Sequence, residues 1–145
     1  MNDPQPIKAI ARPIALALVA VLILAACAGR AVSNQQTDTL SAWENLVRWS
    51  EYDALIDFVH PEYLAANPIT ALDIDRLHQF RVTEYRVRQV LAEPDGLSLE
   101  RTVRIRLYHV HSARERVVDH REVWRYDEDL EAWLLHSSLP DPRQR

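Results

Sequence analysis

Residues 97–110 have the sequence LSLERTVRIRLYHV, in which apolar and polar side chains alternate. A period of two is typical of a half-buried β-strand, because successive side chains point to opposite faces of a sheet. The predicted buried side comprises Leu97, Leu99, Val103, Ile105 and Leu107. The predicted exposed side comprises Glu100, Thr102, Arg104 and Arg106. The stretch therefore predicts a long strand in an antiparallel sheet with one solvated face.

Further strands are predicted on both sides of this stretch. Residues 81–91 are rich in β-branched and aromatic side chains, and the turn signal Glu93-Pro94-Asp95-Gly96 connects them to residues 97–110. Two more strands are predicted over residues 116–126 and 132–138, separated by an acidic turn at residues 127–129. The pattern predicts an antiparallel meander of about four strands.

Helical spacing precedes the strands. Leu40, Trp43, Leu46 and Val47 recur at intervals of three and four residues, which predicts one helix there, and Thr37 or Thr39 can cap it. Shorter helices are predicted over residues 52–59, 61–66 and 70–79. Helices followed by a run of strands predict an α+β fold, with N-terminal helices packed on a curved antiparallel sheet.

The first 26 residues have the organisation of an export signal. Lys8 and Arg12 precede an unbroken apolar run of 13 residues, from 14 to 26. That run suits a signal sequence, whereas a membrane-spanning helix needs about 20 apolar residues. An ordinary signal or an uncleaved anchor is the alternative interpretation.

The apolar run ends in Leu24-Ala25-Ala26-Cys27, which resembles the lipobox of bacterial lipoproteins. The resemblance implies a diacylglycerol on the Cys27 thiol, cleavage before this residue, and a further acyl chain such as palmitate on the new amine. Ala28 follows, and resemblance to lipoproteins that lack Asp at that position implies the outer membrane, facing the periplasm. The predicted organisation is a signal peptide (1–26), a lipidated cysteine with a flexible tether (27–37), a globular domain (38–140) and a disordered tail (141–145).

Composition excludes several classes of function. Without residues 1–26 the chain has 15 basic and 20 acidic residues, a formal charge of −5, so no nucleic-acid partner is expected. Cys27 is the only cysteine, which excludes an intramolecular disulfide and a cysteine metal site. The chain has only two glycines, which excludes a glycine-rich phosphate loop. We therefore expect neither a metal nor another cofactor.

Three stretches carry a second resemblance. Residues 48–55 (RWSEYDAL), residues 60–63 (HPEY) and the pair 123–127 and 132–135 (VWRYD, AWLL) resemble the helix bend, the helix end and the last hairpin of one superfamily. This is the NTF2-like, cystatin-related superfamily of cone-shaped α+β domains, which includes SnoaL and ketosteroid isomerase. The resemblance covers residues 38–140. Because the superfamily contains isomerases, dehydratases and domains without activity, it implies a fold and no single function.

Enzymes of this superfamily place an acid or base inside the cone, and the resemblance implies His120, Glu122 and Asp119 as weak catalytic candidates. Tyr85, His109, His111 and Trp124 are weak candidates for ligand binding. His109 and His111 lie two residues apart, so on a strand they share a face, and with His120 across the hairpin they could form an acid–base or metal-like cluster. The alternative is that these histidines are solvated at a hairpin end.

Two interpretations concern larger sets of residues. The tryptophans are predicted to anchor the contact between helices and sheet: Trp43, Trp49, Trp124 and Trp133. The arginines of the strands are predicted to form ion pairs on a solvated face: Arg101, Arg104, Arg106, Arg114, Arg116, Arg121 and Arg125. An anion-binding strip is the alternative for the arginines.

Two functions remain open on these grounds. The first is a lipid-anchored envelope domain without catalysis, which binds the membrane through its anchor and binds a partner protein or small apolar ligand; a dimer is compatible with the sequence. The second is an NTF2-like isomerase or dehydratase. An interior filled by side chains favours the first, and an enclosed apolar cavity with a convergent acid or base favours the second.

Overall fold

The computed structural model describes the backbone of residues 11–143 and the side chains of residues 30–143. Helices in this part of the chain are α1 (Ala11–Trp49), α2 (Pro61–Ala66) and α3 (Ala71–Leu77), with a 3-10 helix over Tyr52–Phe58. Strands in it are β1 (Phe80–Ala92), β2 (Ser98–His109), β3 (Glu115–Asp127) and β4 (Ala132–Leu135). The strands form one sheet in the order β1-β2-β3-β4 with antiparallel neighbours. The predicted α+β fold is confirmed: helices accompany a curved, open four-stranded sheet.

The chain divides into two compact units, Met1–Asn34 and Gln35–Arg145. In the first unit the structure describes helical backbone from Ala11 onward, and the side chain of Cys27 lies outside the described residues. The second unit contains all the strands, α2 and α3. No helix among the described residues combines the length and hydropathy needed to cross a membrane.

The predicted flexible tether, residues 27–37, is corrected by the structure. These residues are helical and belong to α1, so neither Thr37 nor Thr39 begins a helix. Residues 28–37 contain alanine, arginine and glutamine and no proline. These residue types lose little side-chain freedom in a helix, so the absence of apolar periodicity did not exclude one.

The end of α1 is fixed by an unusual residue. Ser50 has a φ of 59°, in the left-handed region that normally favours glycine. The backbone N–H of Ser50 donates to Val47 O, and that of Glu51 donates to Leu46 O, which together form a Schellman motif. The Ser50 hydroxyl accepts a hydrogen bond from the N–H of Val82 at 3.1 Å. The side chain therefore joins the end of α1 to β1.

The inner face of the sheet contains most of the core. Its buried residues on β2 and β3 are Leu99, Arg101, Val103, Ile105, Leu107, Val118, His120, Glu122 and Trp124. Trp43 of α1 packs edge-on against Trp124, with 5.3 Å between the ring centroids. Trp133 of β4 is buried as well, whereas Trp49 is 77% exposed. The prediction that all four tryptophans anchor the core is therefore wrong for Trp49, which is the last residue of α1 and is exposed to solvent.

The outer face of the sheet carries ion pairs, which confirms the prediction for three of the seven arginines, Arg104, Arg106 and Arg121. Arg104 pairs with Asp119, and Arg121 pairs with Glu100 on the neighbouring strand. These side chains are partly exposed to solvent, so water screens each pair and its contribution to stability is small. They keep this face polar.

The predicted disordered tail, residues 141–145, is corrected in its first part. Pro142 is buried, and its carbonyl accepts a hydrogen bond from Arg116 Nη1 at 3.0 Å. Arg143 pairs with Asp141. Residues 141–143 therefore pack against the domain, because a proline ring and a satisfied carbonyl replace the strand contacts that end at β4. Residues 144 and 145 lie outside the described residues.

Candidate functional site: a buried polar cluster

The only fully buried carboxylate among the described residues is that of Glu122, at 0% exposure. Glu122 lies on β3 directly opposite Arg101 of β2. The alternation of β2 places Arg101 on the same inward side as Leu99 and Val103, so both ends of the pair enter the core. Tyr85 of β1 and Trp43 of α1 reach the same point from two other elements.

Both oxygens of the Glu122 carboxylate are fully engaged. Oε1 accepts hydrogen bonds from Trp43 Nε1 at 2.8 Å and from the Tyr85 hydroxyl at 2.7 Å. Oε2 accepts from Arg101 Nε at 2.9 Å, from Arg101 Nη2 at 2.6 Å and from Trp124 Nε1 at 3.1 Å. We call these five residues, Trp43, Tyr85, Arg101, Glu122 and Trp124, the Glu122 cluster. A carboxylate that accepts five hydrogen bonds has its acceptor capacity filled.

Tyr85 completes the cluster as both donor and acceptor. Its hydroxyl donates to Glu122 and accepts from Arg101 Nη2 at 2.8 Å. Burial is the main cause that raises the pKa of Tyr85 well above its usual value, and the neighbouring Glu122 carboxylate adds to the rise. The hydroxyl therefore stays protonated at physiological pH. It is a structural donor here, so the binding role predicted for Tyr85 would require breaking the cluster.

Glu122 was predicted as a catalytic base, and its surroundings oppose that role. A base must offer a lone pair to a substrate proton, and the cluster already uses the lone pairs of this carboxylate. Its arginine and indole donors also stabilise the charge they contact. The arrangement fits a charge held in place within the core.

His120 is the second inward candidate and is 3% exposed. Burial lowers its pKa from the ordinary value, and the Glu122 charge and the Ser138 backbone oppose this shift. The imidazole is therefore neutral at pH 7. Its Nε2 makes no hydrogen bond to any described residue. A neutral ring with a bare nitrogen has the chemistry of a base, but it is closed off from solvent.

Asp119, the third candidate, lies on the opposite face of β3. Arg104 donates to both of its carboxylate oxygens at 2.7 Å. These hydrogen bonds hold the pKa of Asp119 below its usual value. Because Asp119 faces outward and His120 faces inward, the structure does not bring the three predicted catalytic residues together.

The predicted cluster of three histidines is also absent from the described part of the chain. His120 pairs with Val103 in the middle of β2, whereas His109 is the last residue of β2 and pairs with Phe80. His111 lies beyond the strand in the turn, and its N–H donates to His109 Nδ1 at 3.2 Å. The prediction of a histidine cluster is wrong for two reasons. The turn begins before His111, and the strand register places His120 opposite Val103, away from His109. No group of three His, Cys, Asp or Glu among the described residues could hold a metal ion.

Space for a ligand lies elsewhere, at the periphery. A cavity of about 200 Å³ is lined by α3 and the C-terminal segment, with Leu77, Phe80 and Leu139 among its apolar walls. The charged side chains at it pair with each other, Arg76 with Asp73 and Arg143 with Asp141. None of the predicted site residues lines this cavity.

Sequence reasoning missed Arg101, which it assigned to the solvated face. The signal was present, because Arg101 occupies an inward position in the alternation of residues 97–110. A charged residue at such a position calls for a buried partner of opposite charge, and Glu122 of the next strand is the one it meets. Trp124 was predicted to bind a ligand, whereas in the structure its indole N–H donates a hydrogen bond to Glu122.

Comparison with known proteins supports the fold and does not assign a family. No protein-family model matches the sequence, and no curated protein matches it. Among solved structures, the chain is similar to a SEC-C motif-containing protein from Rhodopseudomonas palustris, determined in solution, with a TM-score of 0.51 and 13% identity. The match covers 65% of this chain and 69% of that one. At this identity the likeness shows the α+β fold alone.

Proposed function

We propose that this chain is a lipid-anchored protein of the bacterial envelope, held in the outer membrane and facing the periplasm. Its α+β domain, which we assign to the NTF2-like superfamily, acts without catalysis by binding a partner protein or a small apolar ligand. The anchor rests on the sequence, where a charged start, a 13-residue apolar run and small residues precede Cys27. Two or three acyl chains would make the attachment stable, whereas one would be marginal.

The observation that carries the non-catalytic assignment is the filled interior. Where an enzyme of this kind needs a substrate cavity and a free acid or base, this domain has the Glu122 cluster. Three large buried aromatic side chains and an ion pair occupy that volume, and they saturate the only fully buried carboxylate of the described residues. A fully satisfied buried polar cluster of this kind contributes to stability and to a unique packing of the core.

One observation favours the alternative, an isomerase or dehydratase. His120 is buried and neutral, with one ring nitrogen unpaired among the described residues. A substrate would have to displace core side chains to reach it. The filled interior therefore supports the non-catalytic function more strongly.

The anchor is tested by replacing Cys27 with serine in the full chain, produced in a bacterial host with radioactive palmitate. Wild-type protein should carry the label and fractionate with the outer membrane. Cys27→Ser should lose the label and remain unprocessed, because a hydroxyl does not replace the thiol that accepts the lipid. Ala28→Ser is the matched control, since it changes the neighbouring residue, keeps the thiol and should be labelled normally. Label on Cys27→Ser, or unlabelled wild-type protein, contradicts the proposal.

A further inference from the structure

His60 precedes α2 and caps it with a titratable ring. Its Nδ1 accepts a hydrogen bond from the backbone N–H of Glu62 at 3.2 Å, which is the capping contact of a helix N-terminus. Its Nε2 lies 2.9 Å from Asp127 Oδ2, at the end of β3. The pKa of Asp127 is held below its usual value, first by the backbone N–H of Leu130 and then by His60, so the group is a carboxylate. Nε2 therefore carries the ring proton and Nδ1 is bare.

The helix that His60 caps is short and depends on contacts at its two ends. α2 is six residues long, and none of its residues is buried. Helices of this length are marginal in water, and their stability depends on end contacts and packing. Pro61 at the first helical position gives a suitable φ but donates no hydrogen bond. The first turn is closed by two contacts, the backbone hydrogen bond from Leu64 N–H to His60 O at 3.0 Å and the acceptor at Nδ1.

Charged and titratable groups surround the ring from each neighbouring element. The ring of His136, just after β4, stacks on His60 with 4.3 Å between centroids. Burial first, and then the nearby His60 and Arg125, lower the pKa of His136, while Asp127 and Glu62 raise it. The carboxylate contact survives protonation, and the capping contact does not.

We propose that His60 is a proton-operated cap, in which protonation at Nδ1 releases the first turn of α2 while Nε2–H keeps its bond to Asp127. The reason is local: a proton on Nδ1 turns the acceptor into a donor that faces the donor N–H of Glu62. Losing a cap of about 1 kcal/mol raises the open fraction of a helix roughly fivefold. The end of the β3–β4 hairpin stays attached, so the change is confined to residues 61–66.

The test follows α2 by NMR in the full-length chain in detergent micelles, from about pH 8 to about pH 5, the range in which histidines titrate. The Cα secondary shifts of residues 62–66 should move from helical toward random-coil values as the pH is lowered. His60→Asn should keep the helix closed throughout, because asparagine caps a helix and does not titrate. His78→Asn is the matched control: His78 also contacts an aspartate, Asp53 at 2.8 Å, but its ring caps no described helix, so the change in α2 should persist.

Two results would overturn the proposal. One is a wild-type α2 whose Cα secondary shifts stay constant over the whole pH range, a result that needs no variant. The other is a folded His60→Asn chain in which α2 still opens on acidification. Signals from β2 and β3 report whether each variant is folded.

Discussion

Glu122 and Arg101 show what a buried ion pair requires. Removing two charges from water costs several kcal/mol each, and mutual attraction offsets this only when the remaining donors and acceptors are satisfied. Here two indole N–H groups and a tyrosine hydroxyl complete the shell of the carboxylate. The pair is therefore tolerated, and either charge alone would be strongly destabilising.

The substitution Glu122→Gln tests the contribution of the buried ion pair to stability. The amide keeps the shape but leaves the Arg101 cation uncompensated in the core, so the free energy of unfolding should fall by about 3–5 kcal/mol. Asp119→Asn is the matched control, because it breaks an ion pair with Arg104 that is half-exposed, and it should cost far less stability than Glu122→Gln. Urea unfolding of the full-length chain measures both. Equal losses in the two variants would contradict the assigned role of the cluster.

Residue positions were predictable where the strand period was clear. The period of residues 97–110 placed Val103 and Ile105 inward, and both are fully buried. It could not show that the carboxylate of Glu122 would be consumed by four neighbours, since two of them, Trp43 and Tyr85, come from distant parts of the chain. Hydrogen bonds between distant elements leave no periodic signal in sequence.

Among the elements, α1 ends in a strained backbone conformation, and a side-chain hydrogen bond compensates for the strain. A non-glycine residue in the left-handed region costs about 1 kcal/mol, and Ser50 adopts that conformation with a φ of 59°. Its hydroxyl accepts from Val82 N–H, a contact that glycine cannot provide. The hydrogen bond from Val82 to the Ser50 hydroxyl therefore offsets the strained backbone of Ser50 and links α1 to β1.

Substitution of Ser50 separates the two effects. Ser50→Ala keeps the strained backbone and loses the hydrogen bond, so it should destabilise the domain by about 1 kcal/mol. Ser50→Gly loses the same bond but relieves the backbone, so its stability should lie close to wild type. Chemical denaturation of the three proteins gives the comparison. A glycine variant less stable than the alanine variant would show that the backbone strain has been misassigned.

The ends of β1 and β2 were predicted from the sequence more accurately than the ends of the helices. The turn at Gly96, with a φ of 71°, and the alternation on either side located β1 and β2 to within one or two residues. The helices were harder, because residues 27–37 lack apolar periodicity yet continue α1. Periodicity reports burial of one face, so a helical segment without such a face is not marked by it.

The two faces of the sheet differ: the inner face packs against the core, and the outer face is charged. Helices and tryptophans cover the inner face, and arginine–carboxylate pairs keep the outer face solvated. This two-layer plan was predicted from helices followed by strands, and the structure confirms it. Attachment to a membrane through a lipid on Cys27 stays a prediction.

Intact mass spectrometry of the protein extracted from bacterial membranes tests whether Cys27 carries a lipid anchor. We expect one species that begins at Cys27 and carries the added mass of a diacylglycerol group and an amide-linked acyl chain. The mass of the uncut 145-residue chain, or of a processed chain with a free thiol, would contradict it.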